Sequence, residues 1–257
     1  MNLLSALASS PSAPTHGTPV YALRVATKAT DVQAAQALRF EVFNLELDEG
    51  LTQSYDTGLD ADPFDAVCDH LIVDDLESGR VVGTYRLRTG LRAREALGYY
   101  SAQEFDFAPF EAMRAQTIEL GRACIHAEHR NFTVLNLLWK GIACCAQERG
   151  ARYLLGCSSL TSQDESVGAA AYQRLTPNLA PPAWRTRPLP DFVCKLDVAA
   201  SPPPHIPRLL SAYLALGAAI CGPPAIDREF RTIDFLTWLD LESPALLALR
   251  KRGRFLA

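Results

Sequence analysis

The sequence contains no C-x-x-C pair, no G-x-x-x-x-G-K-[S/T] loop, no G-x-G-x-x-G turn and no G-x-S-x-G elbow. Their absence removes the usual arguments for a zinc ribbon, a dithiol centre, a phosphate-cradling loop or a serine-hydrolase nucleophile. Basic excess is missing too. Net charge is −4 over 257 residues, which gives no electrostatic footprint for nucleic acid. No internal repeat stands out. The longest apolar stretch, Leu209 to Cys221, is too short to span a bilayer and carries Ser211, Tyr213 and Gly217. It reads as a buried helix. There are no amphipathic hairpin series of the kind a pore former needs.

What is present is the composition of a globular protein, 48% hydrophobic and 21% charged. The seven cysteines are odd in number. Cys68, Cys124, Cys144, Cys145, Cys157 and Cys194 sit in apolar runs, so they are expected to be reduced core residues of a cytoplasmic protein rather than a disulfide framework. Residues 1–19, rich in Ala, Ser and Pro, lack a basic n-region and are read as a disordered leader.

Periodicity orders the rest. A strand starts at Tyr21, and a helix capped by Thr30 or Asp31 carries Ala34, Ala37, Leu38, Val42 and Phe43. A polar loop runs from Asp48 to Asp65. Strands from Cys68 and Val81 flank a Glu77–Arg80 turn, and residues 90–115 are helical and irregular. Further strands are expected at 116–125, 152–157 and 191–198, with helices at 132–149 and from Ser162 or Asp164 to Leu175. The antiparallel start followed by β-α-β crossovers predicts an α/β (α+β) fold, a mixed twisted sheet with helices on both faces. The domain is expected at 20–200. A C-terminal extension, 201–257, opens with Pro202–Pro204 and adds a helical and extended appendage packed on the same core.

Three clusters carry chemistry. Asp60, Asp62 and Asp65 form an acidic loop in which Pro63 and Phe64 separate two carboxylates; such carboxylates suit a cationic amine, although a solvated face is the plainer reading. Glu119-Leu120-Gly121-Arg122 places two charges in an otherwise apolar strand, which is costly unless they are paired or catalytic. Period-two alternation puts Glu119 and Gly121 on one face and Arg122 on the other. Gly121 marks a bulge or a close backbone approach, and a freed N–H there could bind a thioester carbonyl. Arg86 and Arg88 alternate on the preceding strand, where Arg86 can neutralise the loop or grip a carboxylate, while a surface role is nearly as good for Arg88. His126 and His129 have metal-like spacing, but no third ligand is evident and no metal is expected.

Taken in order, Arg39-x-x-x-Phe43, Asp62-x-x-Asp65, Arg86 and Glu119-x-x-Arg122 resemble the signature of acyl-homoserine-lactone synthases, acyltransferases of the GNAT type. The fuller wording is more similar to a sister group, the hemolysin-like ornithine-lipid N-acyltransferases. It lies in Leu38–Phe43, Cys68–Val73, Val82–Leu87, Glu119–Ile125, Leu138-Trp139 with Gly141, Leu154–Ser159 and the tail from Leu209 through Asp227–Phe230. The tryptophan that lactone synthases carry after Phe43 is absent here, where Leu45, Leu47 and Leu51 stand.

The resemblance implies a GNAT-like fold and transfer of a (3-hydroxy)fatty-acyl group from acyl carrier protein to the α-amino group of L-ornithine. The product would be lyso-ornithine lipid, the first step of ornithine-lipid synthesis. The pantetheine arm would lie around Glu119–Cys124 and Tyr153–Cys157. Glu119 would act as base, Gly121 would supply the oxyanion donor, and Arg122 would orient its neighbours. Asp62, Asp65 and Arg86 would shape the amino-acid pocket, Arg39 and Phe43 would belong to the substrate-binding set, and Leu154, Leu155 and Trp139 would wall the acyl chain. No permanent cofactor is implied, only the carrier thioester as co-substrate. The basic tail, Arg250-Lys251-Arg252 with Arg254, reads most plainly as a solvated helix end, although it could touch the carrier or anionic lipid and give a cytoplasmic enzyme peripheral membrane contact. Other readings are acylation of glycine or serine, homoserine-lactone synthesis, or an acyl-chain binding protein without catalysis.

Overall fold

The apolar alternation at the N-terminus does form a strand. In a computed structural model describing residues 20–198 and 205–251, the side chains of 249–251 excepted, β1 spans Tyr21–Val25. The leader at 1–19, the Pro202–Pro204 linker and the basic tail from Arg252 lie outside the described residues. Helix α1, Ala29–Phe40, begins one residue before the expected caps. Asp31 reaches back from its first turn to accept from the Thr27 and Lys28 N–H groups, at 3.0 and 3.2 Å. The helix runs directly into a π-helical segment, Glu41–Glu46, instead of stopping. Gly50 follows at φ 83, where a Cβ would lie 2.6 Å from Asn44 Oδ1, so glycine is needed on two counts.

The chain forms two compact units. Unit one comprises residues 20–88 and 120–151; unit two comprises residues 89–119 and 152–251. In unit one β1 pairs antiparallel with β2, Asp69–Asp75, and β2 with β3, Val81–Thr89; Gly79 at φ 69 closes the hairpin. Helix α4, Phe132–Glu148, packs on these strands through Gly141, whose missing Cβ would stand 2.9 Å from Leu71 Cδ1. Two shorter helices precede it, α2 (Ser54–Thr57) and α3 (Gly90–Glu95), the latter in unit two. Leu23, Leu38, Leu71, Ile72 and Ile142 make the core of unit one.

In unit two the first part of β4, Thr117–Ile125, runs parallel to β5, Tyr153–Leu160, pairing over Thr117–Glu119 with Tyr153–Leu155. Strand β8, Thr232–Asp240, pairs antiparallel with β5 along its whole length. Strands β6 (Ala219–Ile220) and β7 (Ala225–Asp227) both pair with β8. The eight strands make a mixed sheet, as expected, and the C-terminal segment supplies three of them. Helix α5, Glu165–Leu175, is capped by Asp164, whose carboxylate accepts from the Ser166 N–H at 2.9 Å. Helices α6, Arg208–Ala215, and α7, Pro244–Lys251, complete the elements.

Two expectations fail here. Residues 191–198 form no strand: Pro190–Phe192 is a 3-10 turn and Val193 makes one isolated bridge to Ala225, because the proline removes a ladder donor. The stretch Leu209–Cys221 is not one buried helix either. Helix α6 stops before Gly217, which lies at φ 91, and Ala219–Ile220 joins the sheet. All seven cysteines are free thiols. Among the described residues no helix is long and apolar enough to cross a membrane.

Candidate active site

The acidic loop of unit one is organised by its own backbone. Asp62 caps a 3-10 turn, Pro63–Val67, accepting from the Phe64 N–H at 2.8 Å, and Asp65 Oδ2 accepts from the Asp62 N–H at 3.2 Å. Pro63 starts the turn with its φ already set, which fixes the two carboxylates side by side.

Three buried arginines meet this loop. Arg39 from α1 reaches Asp60 at 2.8 Å and Asp65 at 2.7 Å. Arg86 from β3 reaches Asp62 at 2.7 Å and Asp65 at 3.0 Å, and Arg122 from β4 lies 3.2 Å from both Asp60 and Asp62. Every aspartate is thus shared by two arginines and every arginine by two aspartates. The six contacts close into a ring, Arg39–Asp60–Arg122–Asp62–Arg86–Asp65. Three positive charges balance three negative ones in a site where no side chain is more than 8% exposed. Alternation of this kind is how a protein offsets the desolvation of buried ions.

Electrostatics follow the ring. Burial raises the Asp65 pKa, but the Arg39 hydrogen bonds and the Arg39 and Arg86 charges outweigh it, so the carboxyl stays well below its ordinary range. Gln36 also donates to it at 2.9 Å. His70 Nε2 lies 3.1 Å from the Asp65 carbonyl. Burial, opposed by that carbonyl and reinforced by Arg39 and Arg86, pushes its pKa down, keeping the imidazole neutral. Phe64 lies under the guanidinium groups of Arg86 and Arg88, at 5.7 and 5.5 Å. Arg88 is 1% exposed, which corrects the surface reading given it. Gln36 and His70 carry no sequence signal that separates them from ordinary helix and strand residues.

Strand β4 breaks its alternation at Arg122, whose φ is 49, a left-handed backbone that a non-glycine residue adopts only when held there. Gly121 beside it has open space where a Cβ would stand, with no atom within 4 Å. Leu120, Gly121 and Ala123 are half-buried, as is the backbone of Arg122, whose side chain is only 7% exposed; Glu119 and Cys124 on either side are buried.

Glu119 itself is anchored in unit two. A tight turn with Leu97 at φ 58 and Gly98 at φ 71 presents the Tyr100 and Ser101 N–H groups to its two carboxylate oxygens, at 2.7 and 2.8 Å. Beside it stands Cys157, whose thiol is pushed far up by burial first and by the charges of Glu104, Asp234 and Glu119. It is therefore a neutral thiol, not a nucleophile. Glu104, Asp227 and Asp234 each offer an oxygen within 4.8 Å of the others, and all three are buried. Burial, with the Asp227 charge adding to it, lifts the Asp234 pKa to about 6 against hydrogen bonds from Ser159 and Thr232. Asp234 was missed in the sequence although its signal was the one that exposed Glu119, a carboxylate inside an apolar strand.

Of the remaining candidates, Phe43 lies buried in the π-helical segment, Trp139 on α4 is 5% exposed and Leu154 on β5 is 3% exposed. All three are packed into their own units. The second group able to hold a metal is His126, Glu128 and His129 in unit one.

Comparison with known proteins decides the family. The chain is 33% identical over 241 residues to an L-ornithine N(alpha)-acyltransferase of Brucella abortus, covering 86% of this chain and 84% of that protein. It is 31% identical to the enzyme of the same name from Rhodobacter capsulatus, covering 87% and 91%. It belongs to the L-ornithine N(alpha)-acyltransferase family. The chain is accordingly an N-acyltransferase. Residues 38–140 match the acetyltransferase (GNAT) domain. Among solved structures, FeeM, an N-acyl amino acid synthase from uncultured soil microbes, superposes with a TM-score of 0.55 at 12% identity, covering 93% of this chain and 96% of that one. The acyl-homoserine-lactone synthase LasI gives 0.51 at 12% identity, covering 93% and 98%. At that identity these neighbours bear on the fold alone, which is GNAT-like, as the sequence led us to expect.

Proposed function

We propose that this N-acyltransferase moves a (3-hydroxy)fatty-acyl group from acyl carrier protein to the α-amino group of L-ornithine, forming lyso-ornithine lipid. The observation that carries the reading is the sequence of strand β4, which holds the buried carboxylate of Glu119 and, two and three residues further on, a glycine with open space at its Cβ position and an arginine in the left-handed region. In the reaction the amine nitrogen attacks the thioester carbonyl carbon and the C–S bond breaks. The carrier thiol leaves with a proton.

Backbone N–H groups at the Gly121–Arg122 bulge are suited to the oxyanion, because they are fixed before the charge develops. Glu119, its two carboxylate oxygens oriented by the Tyr100 and Ser101 N–H groups, takes up the ammonium proton by way of a water. Arg39, Asp62, Asp65 and Arg86 serve as positioning residues. Their charges are spent on one another and on Arg122, so the ring holds the bulge instead of gripping the amine. The buried carboxylates Glu104, Asp227 and Asp234 offer the charge that the second ammonium of ornithine needs.

The relatives' common name supports ornithine as the acceptor. We place the reaction in the cytoplasm, where the carrier protein is, with peripheral contact to the inner membrane face that receives the product. No cofactor beyond the carrier thioester is required. The test incubates purified protein with 3-hydroxyacyl carrier protein and either ornithine or norvaline, which lacks the second ammonium. Mass spectrometry should find the ornithine amide, far less norvaline amide, and a loss of at least 10²-fold in Glu119→Gln, the usual scale for a lost general base. Near-normal turnover in Glu119→Gln would remove the base, and equal use of norvaline would remove the carboxylate pocket.

A further inference from the structure

Where β4 ends in unit one, the chain turns through a 3-10 segment, Ala127–His129, that gathers two imidazoles and a carboxylate. Each of His126, Glu128 and His129 offers a ligand atom within 4.8 Å of the others. We propose that these three residues hold a divalent transition-metal ion of the zinc class. The sequence suggested no third ligand beside the histidines. The turn supplies it by bringing Glu128 between them.

The surroundings prepare both rings for such a role. His126 Nε2 is 2.9 Å from Glu41 Oε1 of the π-helical segment, and its Nδ1 accepts from the Glu128 N–H at a long 3.3 Å. With Nε2–H donating to the Glu41 carboxylate, His126 carries its lone pair on Nδ1. His129 Nδ1 is 3.0 Å from the Tyr21 hydroxyl, itself held by Asn131 Nδ2 at 3.1 Å, which leaves Nε2 for a ligand. A metal-binding histidine characteristically has its other nitrogen fixed by an oxygen in this way, since the contact sets the tautomer and aims the lone pair. The two rings lie 5.4 Å apart between centroids. Two imidazoles and a carboxylate suit zinc, cobalt(II) or nickel(II) over calcium or magnesium, which prefer all-oxygen sites. His126 is buried, His129 half-buried and Glu128 exposed, so solvent can complete the coordination. The ion would tie the exit of β4 to β1 and to the segment after α1.

The probe is cobalt(II) added to the full-length, metal-stripped protein and followed by visible absorption, with zinc used to displace it. Seven free thiols make cysteine the main competitor, and thiolate ligation announces itself by an intense near-ultraviolet charge-transfer band. The expected result is one equivalent bound without that band, lost in His129→Ala and weakened about tenfold in Glu41→Gln, the usual effect of removing a histidine's orienting partner. Zinc should also raise the unfolding temperature of the wild type but not that of His129→Ala measured with and without the metal. A thiolate band, or stoichiometry and affinity unchanged in His129→Ala, would overturn the proposal.

Discussion

Replacing Arg39 by methionine removes one member of the charge ring while keeping most of its volume. The side chain is fully buried and contacts both Asp60 and Asp65. Its loss leaves three carboxylates facing two guanidinium groups. Breaking a buried ion pair by deleting one partner costs about 3–5 kcal/mol, mostly the desolvation of the charge left behind. For a chain of this size that corresponds to a fall in Tm of about 10 °C, at about 2–4 °C per kcal/mol. Asp60→Asn, which leaves the opposite imbalance, should cost a similar amount. The informative variant is the double one. Removing Arg39 and Asp60 together opens the ring but leaves a neutral chain, Asp65–Arg86–Asp62–Arg122. Urea unfolding of the four proteins should give a double-mutant cost smaller than the sum of the singles by about 1–3 kcal/mol, the range seen for residues in one network. Costs that add to within about 0.5 kcal/mol would refute the ring as a single electrostatic unit.

Two further outcomes follow from the same geometry. Gly121→Ala adds a Cβ that meets no atom within 4 Å, so its Tm should match wild type while kcat/KM falls at least tenfold, about 1.4 kcal/mol of transition-state stabilisation; unchanged turnover would mean that the open face at Gly121 is not where the thioester lies. Stability should respond to pH in opposite senses at two carboxyls. The lowered Asp65 adds stability above its ordinary pKa that disappears as acid titrates the folded form, whereas Asp234, lifted to about 6 from 3.8, favours the folded state at low pH and loses that contribution as pH rises through about 6. The urea midpoint of Asp234→Asn should therefore not show the decline between about pH 4 and 6 that wild type shows, and an identical decline in both would assign it elsewhere.

Much of the sheet and its helices was legible because periodicity reports burial on a regular element. The hairpin around Gly79, helix α4 and the capping of α5 by Asp164 all follow from local chemistry. The failures lie where local pattern and tertiary pairing disagree. Residues 191–198 carry strand-like residues, yet only Val193 finds a partner. Leu209–Cys221 is apolar for two reasons at once, its first half as helix and its end as the edge strand β6. In the site, the charged types in apolar strands pointed to Arg86, Glu119 and Arg122. Nothing in the chain near Glu119 could show that its partners are N–H groups of Tyr100 and Ser101, since that contact depends on a turn 18 residues away.

The ring and the bulge explain each other. A left-handed arginine in mid-strand costs of order 1–3 kcal/mol and persists only where its surroundings over-determine it. Arg122 is over-determined at its far end, where Nε and Nη2 are claimed by different aspartates. Those aspartates are in turn fixed by Arg39 on a helix and Arg86 on a neighbouring strand. Rotating Arg122 back to an extended backbone would withdraw its guanidinium and leave Asp60 and Asp62 each short of a counter-charge. Strand alternation alone would have put that guanidinium on the face opposite Gly121. Well-packed apolar side chains can match a buried ion network in stability, but they could not do what this one does, which is to hold the backbone dihedral of Arg122 in the middle of β4.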